Sequence, residues 1–102
     1  MAQYIVLHSY TKDPTEFAAF FTPEVALGMA KAMAAGETPA RCIKTWDPSQ
    51  HGRLDYFVCL WEGEKPEDVQ AALEGSGLIE YITADIMQVD ETDWAQLAQM
   101  GG

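Results

Sequence analysis

Hydrophobic and polar residues along the chain form patterns that predict four β-strands. Residues 3–10 are rich in β-branched and aromatic types and end in a polar stretch, which is typical of a strand. Residues 41–46 and 54–61 have the same character, and the turn-forming residues 47–52 between them predict a hairpin. Residues 80–89 form the last run of this kind. The chain therefore predicts four strands, two of them joined directly.

Helices are predicted wherever a proline occupies the first helical turn beside capping residues. Pro14, preceded by an acidic cap, begins a short helix, and a second helix spans residues 23–35 with its apolar side chains in one stripe. Pro66 begins a third helix that ends at nearby glycines. A short tail helix is predicted to begin near residues 90–92 and to carry Trp94 on its apolar side.

The order β, α, β, β, α, β with a tail helix predicts an α+β, ferredoxin-like fold. In this arrangement a four-stranded antiparallel sheet carries its main helices on one face. A chain of 102 residues is long enough for one hydrophobic core and too short for two ordinary domains. Residues 1–102 are therefore expected to form a single domain.

The predicted sheet lacks the polar outer face that a one-sided helix layer would leave in water. In the third strand both faces are apolar or aromatic, with Tyr56, Val58 and Leu60 on one and Phe57, Cys59 and Trp61 on the other. Monomers seldom expose an apolar patch of this extent, so a cover is expected. The cover is either the same face of a second chain, giving a homodimer, or the tail helix with Trp94.

The net charge and the composition limit the classes of partner that are expected. The formal net charge is -10, from 16 acidic against 6 basic side chains, so the protein repels nucleic acid and anionic membrane surfaces. No stretch approaches the ~20 apolar residues of a membrane span, and the N-terminus lacks a signal-like pattern. We therefore expect a cytoplasmic protein with neither nucleic acid nor membrane as partner.

The order of these segments and their residue composition resemble those of the dimeric α/β-barrel superfamily. The resemblance is carried by residues 4–10, by Phe57-Val58-Cys59-Leu60-Trp61, and by residues 66–72 running into residues 81–89. It implies two ferredoxin-like chains packed sheet against sheet around a central cavity. The superfamily includes cofactor-independent monooxygenases, haem-degrading enzymes, muconolactone-isomerase-like enzymes and stress-responsive proteins, so the resemblance implies no single activity.

His8 is the candidate general base. In a ferredoxin-like sheet the first strand lies between the third and the fourth, so His8 is expected on the cavity face beside Thr83, Asp85 or Met87. A histidine held by a carboxylate is a common form of tuned base, and Asp85 is its candidate orienting group. The alternative is a hydrogen-bonded histidine within a dimer interface. An acid such as Asp85 in an apolar strand must find a partner, reach water or stay protonated.

Aromatic residues and a methionine are the candidate ligand-binding residues of the same cavity. They are Tyr4, Tyr10, Trp61 and Met87. No glycine-rich phosphate loop or nucleophile motif is present, so the sequence predicts no cofactor.

The two cysteines, Cys42 and Cys59, are predicted to be cross-strand neighbours if the hairpin closes symmetrically. Directly opposed Cβ atoms lie ~4.5–5.5 Å apart, slightly more than a disulfide prefers. Buried free thiols, redox switching and metal binding remain open for this pair. The only histidines, His8 and His51, match no zinc spacing with the cysteines, so no metal site is predicted.

Two functional hypotheses follow from the sequence. The first is a homodimeric protein, structural or binding a small molecule, whose sheet faces meet around a mostly apolar cavity. The second is a cofactor-independent dimeric-barrel enzyme, monooxygenase-like or isomerase-like, that acts on a small aromatic or carbonyl compound. In this hypothesis His8 is the base, and Asp85 or a tyrosine orients it.

Overall fold

The computed structural model describes residues 1–100 and contains a four-stranded sheet. The strands are β1 (Ala2–Ser9), β2 (Arg41–Trp46), β3 (Tyr56–Gly63) and β4 (Asp85–Val89). They lie in the order β2-β3-β1-β4, and every neighbouring pair is antiparallel. This order confirms the predicted α+β, ferredoxin-like fold.

Four α-helices accompany the sheet. They are α1 (Pro14–Phe20), α2 (Pro23–Ala34), α3 (Pro66–Gly75) and α4 (Trp94–Met100). Prolines occupy the first turns of α1, α2 and α3, as predicted. The Asp13 carboxylate caps α1 by accepting hydrogen bonds from the backbone N–H and the hydroxyl of Thr15, at 2.9 and 2.7 Å. In the described part of the chain, no helix is long and apolar enough to cross a membrane.

The hydrophobic core lies between the sheet and the helices. β1 contributes Tyr4 and Val6, which are 1% and 0% exposed, and α3 contributes the equally buried Val69 and Leu73. In contrast, α2 has no fully buried residue, although its methionines pack against the core. Because α1 also has no fully buried residue, α3 is the most deeply anchored of these three helices.

The fourth strand is shorter than predicted. Residues 78–80 form a 3-10 turn, and Ile82 makes a single bridge to Tyr10 before β4 begins at Asp85. Gly77, at φ 81°, adopts the left-handed conformation that redirects the chain after α3. The apolar residues between α3 and β4 therefore cover the core from a turn rather than from a strand. Their strand-like composition did not indicate this.

The register of the β2–β3 hairpin also differs from the symmetric closure predicted. Cys42 is paired with Trp61 rather than with Cys59, and Lys44 is paired with Leu60. An irregularity between Cys42 and Lys44 inserts an extra residue into β2. As a result, Cys42 and Thr45 both lie on the helix side of the sheet, although regular strand residues three apart point to opposite faces.

The other face of the sheet, which we call the open face, carries no helix of the α1–α3 layer. Its apolar residues are Ile5, Leu7, Trp46, Val58, Leu60, Met87 and Val89. The expected alternative cover, the tail helix, does not bury its aromatic residue: Trp94 is 76% exposed, and every residue of α4 is exposed. The tail helix therefore does not serve as a packed lid.

Candidate functional site

A cavity of about 300 Å³ lies between the sheet and the first two helices. It lies beneath α2, and β2 and β3 form its floor. The side chains that line it most directly from the helices are Phe17, Phe21, Ala26, Met29 and Met33, and those from the sheet include His8, Cys42, Phe57, Cys59 and Trp61. Its wall is therefore apolar, with a small number of polar and sulfur-containing groups.

Aromatic rings form one end of this cavity. Phe17 packs against Phe21, Phe57 and Tyr10 at centroid distances of 5.4, 5.7 and 5.7 Å. Burial and the negative charge of Asp47 raise the pKa of Tyr10, so its hydroxyl is neutral near pH 7. This end of the cavity is shaped by aromatic rings in stacked, tilted and edge-on contact, which hold their positions through mutual packing.

His8 lies at the same end and is 1% exposed. Its ring stacks on Phe57 at 4.7 Å, and its Nδ1 lies 2.7 Å from the backbone carbonyl oxygen of Thr83. Because a carbonyl only accepts, Nδ1 carries the proton and donates, which leaves Nε2 as an acceptor. Burial lowers the pKa of His8, although the bond to Thr83 opposes this shift. His8 is therefore a neutral imidazole of fixed tautomer at pH 7.

Trp61 supplies a buried hydrogen-bond donor to the cavity wall. The residue is 4% exposed, and within residues 1–100 its indole Nε1–H makes no well-formed hydrogen bond, only a weak contact with the Cys59 sulfur that slightly lowers the pKa of that thiol. A buried donor without a partner costs about 1–3 kcal/mol, so such groups are uncommon in folded proteins. A ligand atom that accepts this hydrogen bond would recover that cost.

Cys42, Thr45 and Cys59 form a connected cluster on the cavity floor. The Thr45 hydroxyl lies 3.2 Å from the Cys59 sulfur and 3.7 Å from the Cys42 sulfur. The neighbouring Cys59 thiol lowers the pKa of Cys42 to about 7, while the same interaction and burial raise the pKa of Cys59. Both cysteines are free thiols, and Cys42 is the one that ionises first.

The structure separates the predicted catalytic pair. His8 lies on the helix side, whereas Asp85 is opposite Leu7 on the open face and is exposed to water. Of the three expected neighbours of His8, only Thr83 contacts it, through its carbonyl oxygen. The prediction that Asp85 orients His8 is therefore wrong. The reason is that both faces of β1 are apolar, so alternation alone did not show which face the helices cover.

The predicted ligand-binding residues are likewise divided between the two faces. Tyr10 and Trp61 line the cavity beneath the helices, and Tyr4 is buried in the adjoining core. Met87 is 44% exposed on the open face, away from the other three. Tyr4, Tyr10 and Trp61 therefore cannot line a space between two open faces, and the cavity that Tyr10, Trp61 and His8 do share lies within one chain.

Sequence reasoning missed the contribution of α2 and β2 to this site. Met29, Met33 and Ala26 carry no signal beyond their helical spacing, which equally predicts core packing. Thr45 carries no signal at all, because its place beside the cysteines depends on the irregularity in β2. Only the low bulk of the Ala-rich α2 could have indicated a gap beneath it.

Within residues 1–100, no group of three or more histidine, cysteine, aspartate or glutamate side chains is arranged to hold a metal ion. No protein-family model, curated protein or solved structure matches the chain. The ferredoxin-like fold class is established by the sheet order, and the dimeric-barrel resemblance remains a prediction.

We expect His8 to make stability pH-dependent. The unfolded state binds a proton near the ordinary value of 6.5 and the folded state binds it only at lower pH, so the free energy of unfolding falls as pH drops below about 6.5. One proton contributes a slope of at most about 1.4 kcal/mol per pH unit. In urea unfolding between pH 7.5 and 5, His8→Gln should show a shallower decline than the wild type, whereas His51→Gln, at an exposed position, should not. Equal slopes in all three proteins would contradict this role of His8.

Proposed function

We propose that this protein is a cytoplasmic, homodimeric binding protein, each chain of which takes up a small, mostly apolar molecule in the cavity beneath α2. The observation that carries the proposal is the cavity itself, whose volume of about 300 Å³ lies at the lower end of the range for small-molecule sites. The two free cysteines support a reducing compartment.

The groups in the cavity wall indicate the chemistry of the ligand. Phe17, Phe57 and Met29 offer aromatic and polarisable surface, which suits a flat apolar molecule. Trp61 Nε1–H is a donor without a partner, so the ligand is expected to carry a hydrogen-bond acceptor such as a carbonyl oxygen. A small aromatic ketone meets both requirements.

The proposed dimer forms through the open face of the sheet. This face is apolar at its centre, and its charged residues balance: Arg41 and Lys44 against Glu62 and Asp85. Two chains of net charge -10 repel each other, and a neutral face is where they can meet at least cost. A two-fold axis parallel to the strands would place β2 of one chain over β4 of the other. By the strand register, Lys44 would then lie over Met87 of the second copy, and Trp46 over its Asp85.

An enzymatic role for His8 is the second candidate. The hydrogen bond from Nδ1 to Thr83 leaves Nε2 unprotonated and positioned at the cavity, which is the form a general base requires. Without Asp85 as partner, the backbone carbonyl takes the orienting role. If His8 is such a base, His8→Gln would preserve ligand affinity within a few-fold and abolish turnover of a bound carbonyl compound.

Ligand binding is tested most simply by filling the cavity. Ala26 lines the cavity, and Ala30, one turn along α2, is exposed. We expect Ala26→Leu to weaken the binding of acetophenone by about tenfold or more, because the added methyl groups occupy ligand space, and Ala30→Leu to leave it unchanged. Binding is followed by NMR of 13C-labelled methionine methyls, with Met29 and Met33 reporting on the cavity and exposed Met87 as internal control. Equal affinity in both variants would place the ligand elsewhere.

A further inference from the structure

A thiol and an unpartnered donor lie side by side on the floor of the cavity. Cys42 and Trp61 are directly paired in the β2–β3 ladder, where opposed Cβ atoms are about 4.5–5.5 Å apart. Both side chains line the cavity, and Trp61 Nε1–H is buried without a partner. This places a sulfur nucleophile and a residue whose N–H donor lacks a well-formed hydrogen bond in the wall of the same small apolar space.

We infer that Cys42 is a nucleophilic site for small, apolar α,β-unsaturated ketones, with the indole N–H of Trp61 donating a hydrogen bond to the carbonyl oxygen. The inference rests on the proposed function, because the ketone must first enter the cavity. The inference adds to the proposed binding function a covalent reaction that binding alone does not require.

The reaction is an addition in which every atom is retained. Cys42 loses its thiol proton to water, and its sulfur forms a bond to the β-carbon of the ketone. The π electrons of the carbon–carbon double bond move toward the carbonyl oxygen and give an enolate, whose α-carbon then takes a proton from water. The product is a thioether, and no external oxidant or reductant is consumed. Trp61 stabilises the oxygen on which negative charge develops.

The surroundings of Cys42 favour the thiolate that this reaction needs. The neighbouring Cys59 thiol lowers the pKa of Cys42, and the Thr45 hydroxyl lies 3.7 Å from the Cys42 sulfur and 3.2 Å from the Cys59 sulfur. The thiolate rather than the thiol is the nucleophile, so Cys42 is the reactive member of the pair and Cys59 a positioning residue. Cys42 is also the more accessible, being half-buried where Cys59 is buried.

The test compares two electrophiles that differ in polarity. The wild-type protein is treated at pH 7 with phenyl vinyl ketone or with acrylamide, and adducts are followed by intact-mass spectrometry and located by peptide mapping. Glutathione provides the reference rate for each reagent. We expect one adduct per chain, on Cys42. When the rate of each reagent is divided by its rate with glutathione, the value for phenyl vinyl ketone should exceed that for acrylamide by about tenfold or more. Propiophenone, the saturated analogue, should slow the reaction by competition.

Three variants separate the roles of the residues. Cys42→Ser should abolish the adduct. Trp61→Phe should slow the reaction with phenyl vinyl ketone by about 100-fold, as loss of one oxyanion donor does. It should leave the rate with methyl methanethiosulfonate, which forms no enolate, unchanged. Cys59→Ala removes the neighbouring thiol that lowers the pKa of Cys42, so the pH–rate profile should move to higher pH and the rate should recover there.

Several results would overturn the inference. They are an adduct that maps to Cys59, relative rates that are equal for the two electrophiles, or a rate that propiophenone does not slow. The wild-type comparisons decide the question even if Trp61→Phe fails to fold. Saturable acetophenone binding without adduct formation would overturn this inference alone, whereas absence of both would overturn the proposed function as well.

Discussion

Leu60→Lys is expected to convert the proposed dimer into a monomer. Leu60 lies near the middle of β3, at the centre of the open face, where it is opposite Ile5 on β1. In a two-fold interface each chain contributes one copy, so the substitution buries two unpaired ammonium groups close together. A cost of several kcal/mol raises the dissociation constant by at least about 100-fold.

The fold of the single chain should survive this change. Leu60 points away from the core, and the lysine reaches water once the partner is gone. Light scattering at several concentrations measures the mass, and circular dichroism reports on the fold. Gln50→Lys, in the exposed hairpin connection, is the control that adds the same charge without touching the open face. A dimer in Leu60→Lys as stable as in the control would contradict an interface on this face.

Leu73→Ala is expected to cause the largest loss of stability. Leu73 is 1% exposed and is one of the two residues through which α3 is anchored in the core. Truncation removes buried methyl groups and leaves a cavity, which typically costs about 2–5 kcal/mol. For a domain of this size, each kcal/mol lowers Tm by roughly 4–8 °C.

Leu54→Ala is the matched control, because it deletes the same atoms from a side chain that is 64% exposed. Its free energy of unfolding should stay within about 0.5 kcal/mol of the wild type. Urea unfolding of the three proteins at pH 7.5 gives both values. Similar losses in Leu73→Ala and Leu54→Ala would mean that α3 is not packed as described.

Local signals in the sequence were sufficient for the element order and for most helix boundaries. Prolines and caps mark where α1, α2 and α3 begin, since they act through hydrogen bonds within a few residues. β2 occupies the predicted residues, and the sheet order follows from the split-βαβ arrangement. These features depend on short-range chemistry that a single sequence displays.

The site was harder to predict because it depends on which sheet face meets the helices. In β1 and β3 both faces are apolar. The alternation of side chains along a strand shows that His8 and Leu7 lie on opposite faces, but it does not show which of these faces the helices cover. No glycine or proline in β2 marks the position of the irregularity, yet this irregularity brings Thr45 next to the cysteines. Contacts between residues distant in sequence determine both the covered face and the irregularity, and neither feature is visible in the local sequence.

The indole N–H of Trp61 reports on the central claim that the cavity takes a small apolar ligand with a hydrogen-bond acceptor. In 1H–15N NMR, the three tryptophan indole signals are assigned by single Trp→Phe variants, and the protein is titrated with acetophenone or with ethylbenzene. The two ligands have similar size and shape, and only acetophenone carries a carbonyl oxygen. We expect acetophenone to shift the Trp61 signal downfield to saturation, with exposed Trp46 and Trp94 unmoved and ethylbenzene producing little change in the Trp61 signal. A Trp61 signal that stays in place at saturating acetophenone would contradict the account.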